Sequence, residues 1–269
     1  MNVIVVTKRT LYERLGDDPR TQDLLNNKSL AKAHESHKCH LESVRVVMDA
    51  LAEMGARPRV VKSGEPFDSH DTDWVIAVGG DGTLLSASHY VGGETRLVGI
   101  NSDPQNSVGY LCLNIMPKDI SWALRNSPST VVTRMEVLLR GKSIAKRVLN
   151  EALFTHACPA AMTRFTLDDI LQRNSGIWIG TGAGSTGAMR SAGGPIRKFT
   201  YKKLQALIRE PYQDDGVKVK TLYRSPSFKL INKTAEAMLY LDGPYLQFPV
   251  AFGEAVTFRI SKDPLRLVK

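Results

Sequence analysis

The stretch WVIAVGGDGTLLSA, Trp74–Ala87, runs an apolar strand into a glycine turn and then into a helix. A helix start offers free backbone N–H groups and a positive dipole end, and glycines let an anion approach the backbone closely. The layout is that of a phosphate cradle. Yet Asp81 stands in the middle of the loop, where its carboxylate would repel phosphate. A tight turn in which Asp81 or Thr83 caps the helix is the plainer alternative, but GGDGT holds more small residues than a cap requires. Gly79, Gly80, Gly82 and Thr83 are therefore read as a phosphate-donor loop.

Working outward, the first hundred residues alternate between strand and helix patterns. NVIVV (Asn2–Val6), DWVIAV (Asp73–Val78) and TRLVGIN are compact apolar runs. LESVRVVMDALAEMG places Leu41, Val44, Met48, Leu51 and Met54 at helical spacing, and Gly55 is a natural stop. Strands apolar on both faces and separated by helices predict a doubly wound α/β domain with a parallel sheet, over residues 1–115. In such a sheet ligands bind at the carboxyl ends of the strands, where GGDGT lies. Lys8 and Arg9 end the first strand at that same edge and are candidate phosphate contacts.

Near Pro117 the texture changes. SWALRNS is a short helix, and the alternating segments beyond it predict a β-rich, sandwich-like domain over 116–269, with the last residues able to return to the first domain. TRMEVLLRGKSIAKRVLNE reads as a hairpin turning at Gly141–Lys142, and PYQDDGVKVKTLYRSPS (Pro211–Ser227) as a mobile connection.

Composition narrows the function classes. The 269 residues are 42% hydrophobic and 23% charged, ordinary for a globular protein, with a formal net charge of +9 that favours an anionic partner. The basic residues are dispersed and the aromatics do not interleave with them as a stacking platform would, which argues against nucleic acid. RKFTYKK (Arg197–Lys203) is a mild basic concentration that suits a solvated face, a subunit contact or a phosphate-facing patch. The three cysteines, Cys39, Cys112 and Cys158, are widely spaced and odd in number, so a reducing compartment is expected. No apolar run is long enough to span a membrane, and the opening segment is too short for a signal peptide. Cytoplasm is the expected location.

The second glycine-rich stretch, GIWIGTGAGSTGAMRSAGGP, contains G-x-G-x-x-G at Gly182, Gly184 and Gly187. The run after it, AMRSAGG, is too short and glycine-interrupted for the helix of a dehydrogenase-type dinucleotide turn. The density of Gly, Ser and Thr after a strand still implies close backbone approach to a ligand.

In this order the motifs resemble those of the NAD kinase family. GGDGT matches its phosphate-donor signature, and Asn150–Glu151 its paired ribose-contacting residues. GTGAGSTGAMRSAGGP is similar to its second glycine-rich motif, and LDG (Leu241–Gly243) to its late Asp-Gly. GINSDPQNSVGYLC and VVTKRT resemble the branch typified by the mitochondrial and some plant enzymes. The resemblance implies phosphoryl transfer from ATP, with a divalent metal such as Mg, to the 2′-hydroxyl of the adenosine ribose of NAD, giving NADP, in a homodimer or homotetramer. It assigns Asp81 as the catalytic residue. NAD contacts fall on Asp81, Gly82, Asn150, Glu151, Thr186, Gly187, Ala188, Met189, Arg190 and Ser191. No protein side chain is assigned to metal. Three departures from the common bacterial form concern base recognition: Ala188 replaces an aromatic residue, Ser175 an aspartate, and Pro244 a glutamine.

On this reading Asp81 orients the ribose hydroxyl and takes its proton, and the metal on the ATP phosphates offsets the repulsion. A neighbouring Asn and Glu reach one ligand only if the strand before them has ended. A diacylglycerol-type lipid kinase would share GGDGT but gives no role to Asn150–Glu151, and a non-catalytic dinucleotide sensor would not need Asp81. HESHKCH, with His34, His37, Cys39 and His40, is read as a solvated helix face rather than a zinc site, with His37 or His40 able to approach a bound phosphate.

Overall fold

The computed structural model describes residues 1–16, 27–113, 115–212, 221–244 and 246–269. The chain divides into two compact units, Met1–Thr130 with Leu265–Lys269, and Val131–Pro264.

The first unit is built on one sheet. Its strands are β1 (Val3–Thr7), β2 (Arg59–Lys62), β3 (Trp74–Gly79), β4 (Arg96–Asn101), β5 (Ser129–Val132) and β18 (Leu265–Val268), in the order β2-β1-β3-β4-β18-β5. The β1–β2, β1–β3, β3–β4 and β4–β18 pairs are all parallel. Every residue of β1 and of β3 is buried, which is why both read as continuous apolar runs rather than alternating ones. From β1 the chain goes first to β2 on one side and later to β3 on the other. The order therefore reverses between β1 and β3, the kind of position at whose carboxyl ends open α/β sheets bind ligands.

Helix α1 (Leu11–Gly16) follows β1, and α2 (Asn27–Glu53) leads to β2. Val47, Ala50 and Leu51 of α2 pack with Val3, Val5, Trp74, Ile76, Val78, Val98 and Ile100 on one face of the sheet. Helix α3 (Asp81–Ser88) covers the other face. Gly99 lacks a side chain where Leu84 crosses it; a Cβ there would lie 2.6 Å from Leu84 Cδ1. Helix α4 (Ile120–Asn126) adds Ile120 and Leu124 to the core beneath α2. The buried face of α2 is not quite the expected one. Leu41 is half exposed, while His40 and Ser43 are buried. The helix starts well before LESVRVV, and its inward stripe, Ala33, His40, Val47 and Leu51, runs past the polar edge of the sheet. The division between units also falls later than the change of texture near Pro117, because α4 packs into the first core.

The second unit holds two sheets. The first is made of β6 (Met135–Leu139), β7 (Lys142–Val148), β9 (Thr163–Leu167), β10 (Ile170–Asn174), β14 (Ser227–Asn232) and β17 (Ala255–Ile260), in the order β10-β9-β14-β17-β6-β7. The second is made of β8 (Glu151–His156), β11 (Ile177–Gly180), β12 (Leu204–Ile208), β13 (Leu222–Ser225), β15 (Ala237–Leu241) and β16 (Leu246–Val250), in the order β13-β12-β11-β8-β15-β16. Met135, Val137, Phe165 and Phe258 of the first sheet share one core with Phe154, Ile177, Ile179 and Leu239 of the second. The β6–β7 hairpin turns at Arg140–Gly141, both at positive φ (52° and 76°), one residue before the expected Gly141–Lys142. Of the segment read as a mobile connection, 213–220 lie outside the described residues, and Leu222–Ser225 is strand β13. Among the described residues no helix is long and apolar enough to cross a membrane.

Candidate active site

In the first unit, the loop after β3 hands the chain directly to α3. Gly80 is the N-cap and makes no side-chain cap bond. Gly79 is held bare by packing: a Cβ there would lie 2.2 Å from Thr83 Oγ1. Thr83 is buried behind it, and Gly82 is exposed with open space around it. Asp81 is not a helix cap. Its carboxylate turns to the loop after β4, accepting the Tyr110 N–H on Oδ2 (2.8 Å) and the Leu111 N–H on Oδ1 (2.7 Å). Two backbone donors thus hold a half-exposed carboxylate in one orientation, leaving each oxygen a further lone pair.

Two groups near Asp81 escaped sequence reading. The Lys269 ammonium donates to the Tyr110 carbonyl and sits 4.1 Å from the Tyr110 ring centroid. Burial draws its proton affinity below the ordinary lysine value, with Asp81 pulling the other way. The buried Cys112 thiol is pushed up to about 12 by burial and by the Asp81 charge. No local pattern announces either contact.

Lys8 lies at the end of β1, its N–H bonded to the Val78 carbonyl (3.2 Å), so it shares the carboxyl edge of the sheet with the Gly79–Thr83 loop. Burial lowers the Lys8 ammonium below its usual value, opposed by Asp103. Arg9 is exposed. The HESHKCH segment is not a solvated face. His40 is buried, its Nδ1 3.1 Å from Ser102 Oγ, and burial with the Lys8 charge draws its pKa down to about 4. His37 Nδ1 lies 2.9 Å from Thr10 Oγ1, and both His34 and His37 rest against the Tyr12 ring. The cause is α2 passing over the polar strand ends. Cys39 is exposed, and among the described residues no three His, Cys, Asp or Glu side chains gather to hold a metal. A cavity of about 980 Å³ opens beside α2, lined in part by Lys38, Ser43, Asn101, Val108 and Met116; no residue of the Gly79–Thr83 loop lines it.

In the second unit, β7 ends at Val148 and β8 begins at Glu151, so Asn150 falls in a break of the kind that lets an adjacent Asn and Glu reach one ligand. The break is tightly held. The Asp242 carboxylate accepts N–H bonds from Leu149 (2.7 Å), Asn150 (2.7 Å) and Glu151 (3.1 Å), and the Asn150 carbonyl accepts the Thr181 N–H at 2.9 Å. Gly184 presses against the Asn150 backbone so closely that a Cβ would lie 2.1 Å from the Asn150 carbonyl oxygen. Asn150 Oδ1 and Glu151 Oε2 are buried and have no hydrogen-bond partner among the described residues. A Cβ at Gly187 would lie 3.4 Å from Glu151 Oε2 and 3.6 Å from Asn150 Nδ2, so both side-chain ends face that glycine. Burial, and then the Asp242 charge, push the Glu151 carboxyl up to about 8.

The rest of the second loop divides into support and surface. Thr186 Oγ1 bonds back to the Ala183 carbonyl (3.0 Å), and Thr186, Gly187 and Ala188 are half-buried. The short helix α5 (Ala188–Ser191) is only four residues long. The Met189 side chain is fully buried under Gly180 and serves packing, while Arg190 and Ser191 are exposed. Arg197 and Lys198 of the basic segment back the loop: the Arg197 N–H donates to Ser185 Oγ (2.8 Å), and the Lys198 carbonyl abuts Gly182. Ser175 Oγ bonds Glu210, and Pro244 is exposed.

The model of the ATP-NAD kinase N-terminal domain matches residues 5–117. A rice protein named "Probable NADH kinase" is 32% identical over 228 residues, covering 72% of this chain and 69% of that protein. The chain belongs to the NAD kinase family. An Arabidopsis NADH kinase is 28% identical over 89% of this chain and 86% of its own length, and human "NAD kinase 2, mitochondrial" is 36% identical over 42% of this chain and 28% of its own. The crystal structure of an NAD kinase from Archaeoglobus fulgidus in complex with ATP superimposes with a TM-score of 0.66 at 21% identity, covering 100% of this chain and 94% of that one, which establishes a shared fold.

Proposed function

We infer that this NAD kinase family member transfers the γ-phosphoryl group of ATP to the 2′-hydroxyl of the adenosine ribose of NAD or NADH, giving NADP or NADPH. The observation that carries this reading is the pair of buried, unpartnered groups at Asn150 and Glu151, facing Gly187. Burying a polar atom without a partner costs roughly 1–3 kcal/mol, so such a pair calls for a ligand that completes it. Vicinal hydroxyls, each both donor and acceptor, match an amide beside a carboxyl. A diacylglycerol-type lipid kinase leaves that pair without a task, and a non-catalytic sensor leaves Asp81 without one.

In this reading Asp81 holds and deprotonates the 2′-hydroxyl. Its bonds to Tyr110 and Leu111 fix its direction, so the hydroxyl need not be found by a wandering side chain. Gly79, Gly80, Gly82 and Thr83 form the donor loop at the start of α3, with Lys8 and Arg9 as cationic candidates at the neighbouring strand end. Mg arrives with ATP as part of the substrate, neutralising phosphate charge where Asp81 would repel it. Thr186, Gly187, Ala188, Met189, Arg190 and Ser191 form the wall beside Asn150 and Glu151, with Met189 acting through its backbone and its packing. Within the first unit the doubly wound arrangement, and for the whole protein a homodimer or homotetramer in the cytoplasm, complete the proposal.

The test is direct. Purified protein is incubated with Mg·ATP and either NAD or NADH, and product is read with an NADP-dependent dehydrogenase; inorganic polyphosphate replaces ATP in a parallel reaction. Formation of NADP or NADPH is expected. Absence of both products with either phosphoryl donor would overturn the assignment.

A further inference from the structure

Asp242 is hydrogen-bonded to the backbone of the candidate ribose site. It stands just past β15, with φ 50°, a left-handed conformation that aspartate tolerates better than most residues, and Gly243 follows at φ 102°. Leu241 pairs with Ala152 in the sheet. At Asp242 the ladder gives way to a two-way grip. Its own N–H donates to the Glu151 carbonyl (2.9 Å), while its carboxylate accepts the N–H groups of Leu149, Asn150 and Glu151. A carboxylate receiving several backbone donors is a strong, charge-assisted anchor. A simple strand-end turn would not need three consecutive N–H groups aimed at one side chain more than ninety residues away in sequence.

We propose that Asp242 is the positioning residue of the ribose site: it fixes the Leu149–Glu151 backbone so that the Asn150 and Glu151 side chains are presented together, already formed, before NAD arrives. The proposal rests on Asn150 and Glu151 being the ribose contacts. It has a second consequence. Among the described residues of this unit, Asp242 is the charged group that acts on the Glu151 carboxyl, adding to burial in keeping it protonated at neutral pH. A protonated Glu151 offers an O–H donor as well as a carbonyl acceptor. Loss of the Asp242 charge therefore moves the Glu151 ionisation to lower pH, and NAD affinity would begin to fall at lower pH.

The experiment compares wild type, Asp242→Asn, Glu151→Ala and Asn150→Ala. Asn keeps the shape and tolerates the backbone angle. Each protein is assayed for KM of NAD, KM of ATP, kcat and melting temperature, from pH 6 to 9. Asp242→Asn is expected to raise the KM for NAD about tenfold or more, to leave the KM for ATP within about twofold, and to shift the pH dependence of NAD binding downward. A folded Asp242→Asn protein with unchanged KM for NAD and an unchanged pH profile would reduce Asp242 to a strand-end cap. If Asn150→Ala and Glu151→Ala both leave NAD binding intact, the ribose reading itself falls, whatever Asp242 does. Hydrogen exchange on unliganded wild-type protein tests the idea without a variant that must fold. The Leu149, Asn150 and Glu151 amides should be protected, and rapid exchange at all three would overturn the proposal.

Discussion

Asp81 and Glu151 are both acids at sites read as ligand-binding, and their surroundings treat them in opposite ways. Asp81 is half exposed, and each of its oxygens takes a backbone N–H. Glu151 is buried, keeps an oxygen without a partner, and lies beside the Asp242 charge. The first environment holds the side chain in a set direction. The second favours a neutral carboxyl that gains bonds when a ligand enters. On the proposed reading the two acids take different tasks, and the backbone donors supplied to each set them apart.

The sharpest way to break this contrast is Asp81→Asn. Loss of the base should lower turnover by about a hundredfold or more with the fold retained, because general-base catalysis contributes roughly 10²–10⁴-fold. The melting curve should drop modestly, since an amide NH₂ would face an N–H donor. Turnover within about tenfold of wild type would remove Asp81 from the base role.

The next largest effect concerns Glu151. Between its ordinary value of 4.5 and its folded value of about 8, the native state holds a proton that the unfolded chain has lost. Stability therefore falls as pH rises through that window, by an amount on the order of a few kcal/mol. Glu151→Gln has no proton to lose and should flatten this part of the curve, being more stable than wild type at pH 8. Parallel denaturation curves for the two proteins across pH 5–8.5 would show Glu151 to be ordinary.

Glycine substitutions then separate the two loops. Gly184→Ala forces a methyl to 2.1 Å from the Asn150 carbonyl oxygen, a backbone atom that cannot step aside. It should cost about 1–3 kcal/mol and weaken NAD binding. Gly82→Ala meets nothing within 4 Å and lies inside α3. It should stabilise the protein by about 0.5–1 kcal/mol. If Gly82 contacts the donor phosphates, its turnover with ATP falls all the same. Unchanged activity would restrict the donor loop to Gly79, Gly80 and Thr83.

Much of this architecture was legible in the chain. Strands β1, β3 and β4 announce themselves because burial on both faces demands continuous apolar residues. The turn at GGDGT was legible because small residues between an apolar strand and a helix form a local pattern, and β3 does end there. The burial of His40 was not, since a helix face is judged by its neighbours in sequence, and here a polar strand end covers it. The Lys269 contact with Tyr110 and the Asp242 grip on Leu149–Glu151 were equally hidden. Each joins residues far apart in the chain, and a hydrogen bond of that kind leaves no periodicity to read.

The sequence by itself determined the elements, the two glycine loops and the family to which they belong, because those depend on local spacing and residue type. Tertiary structure alone decided the orientation of Asp81 and the burial of Glu151. Protonation and orientation depend on how many donors and charges converge on a carboxyl, and those donors come from distant strands and loops that only folding brings together.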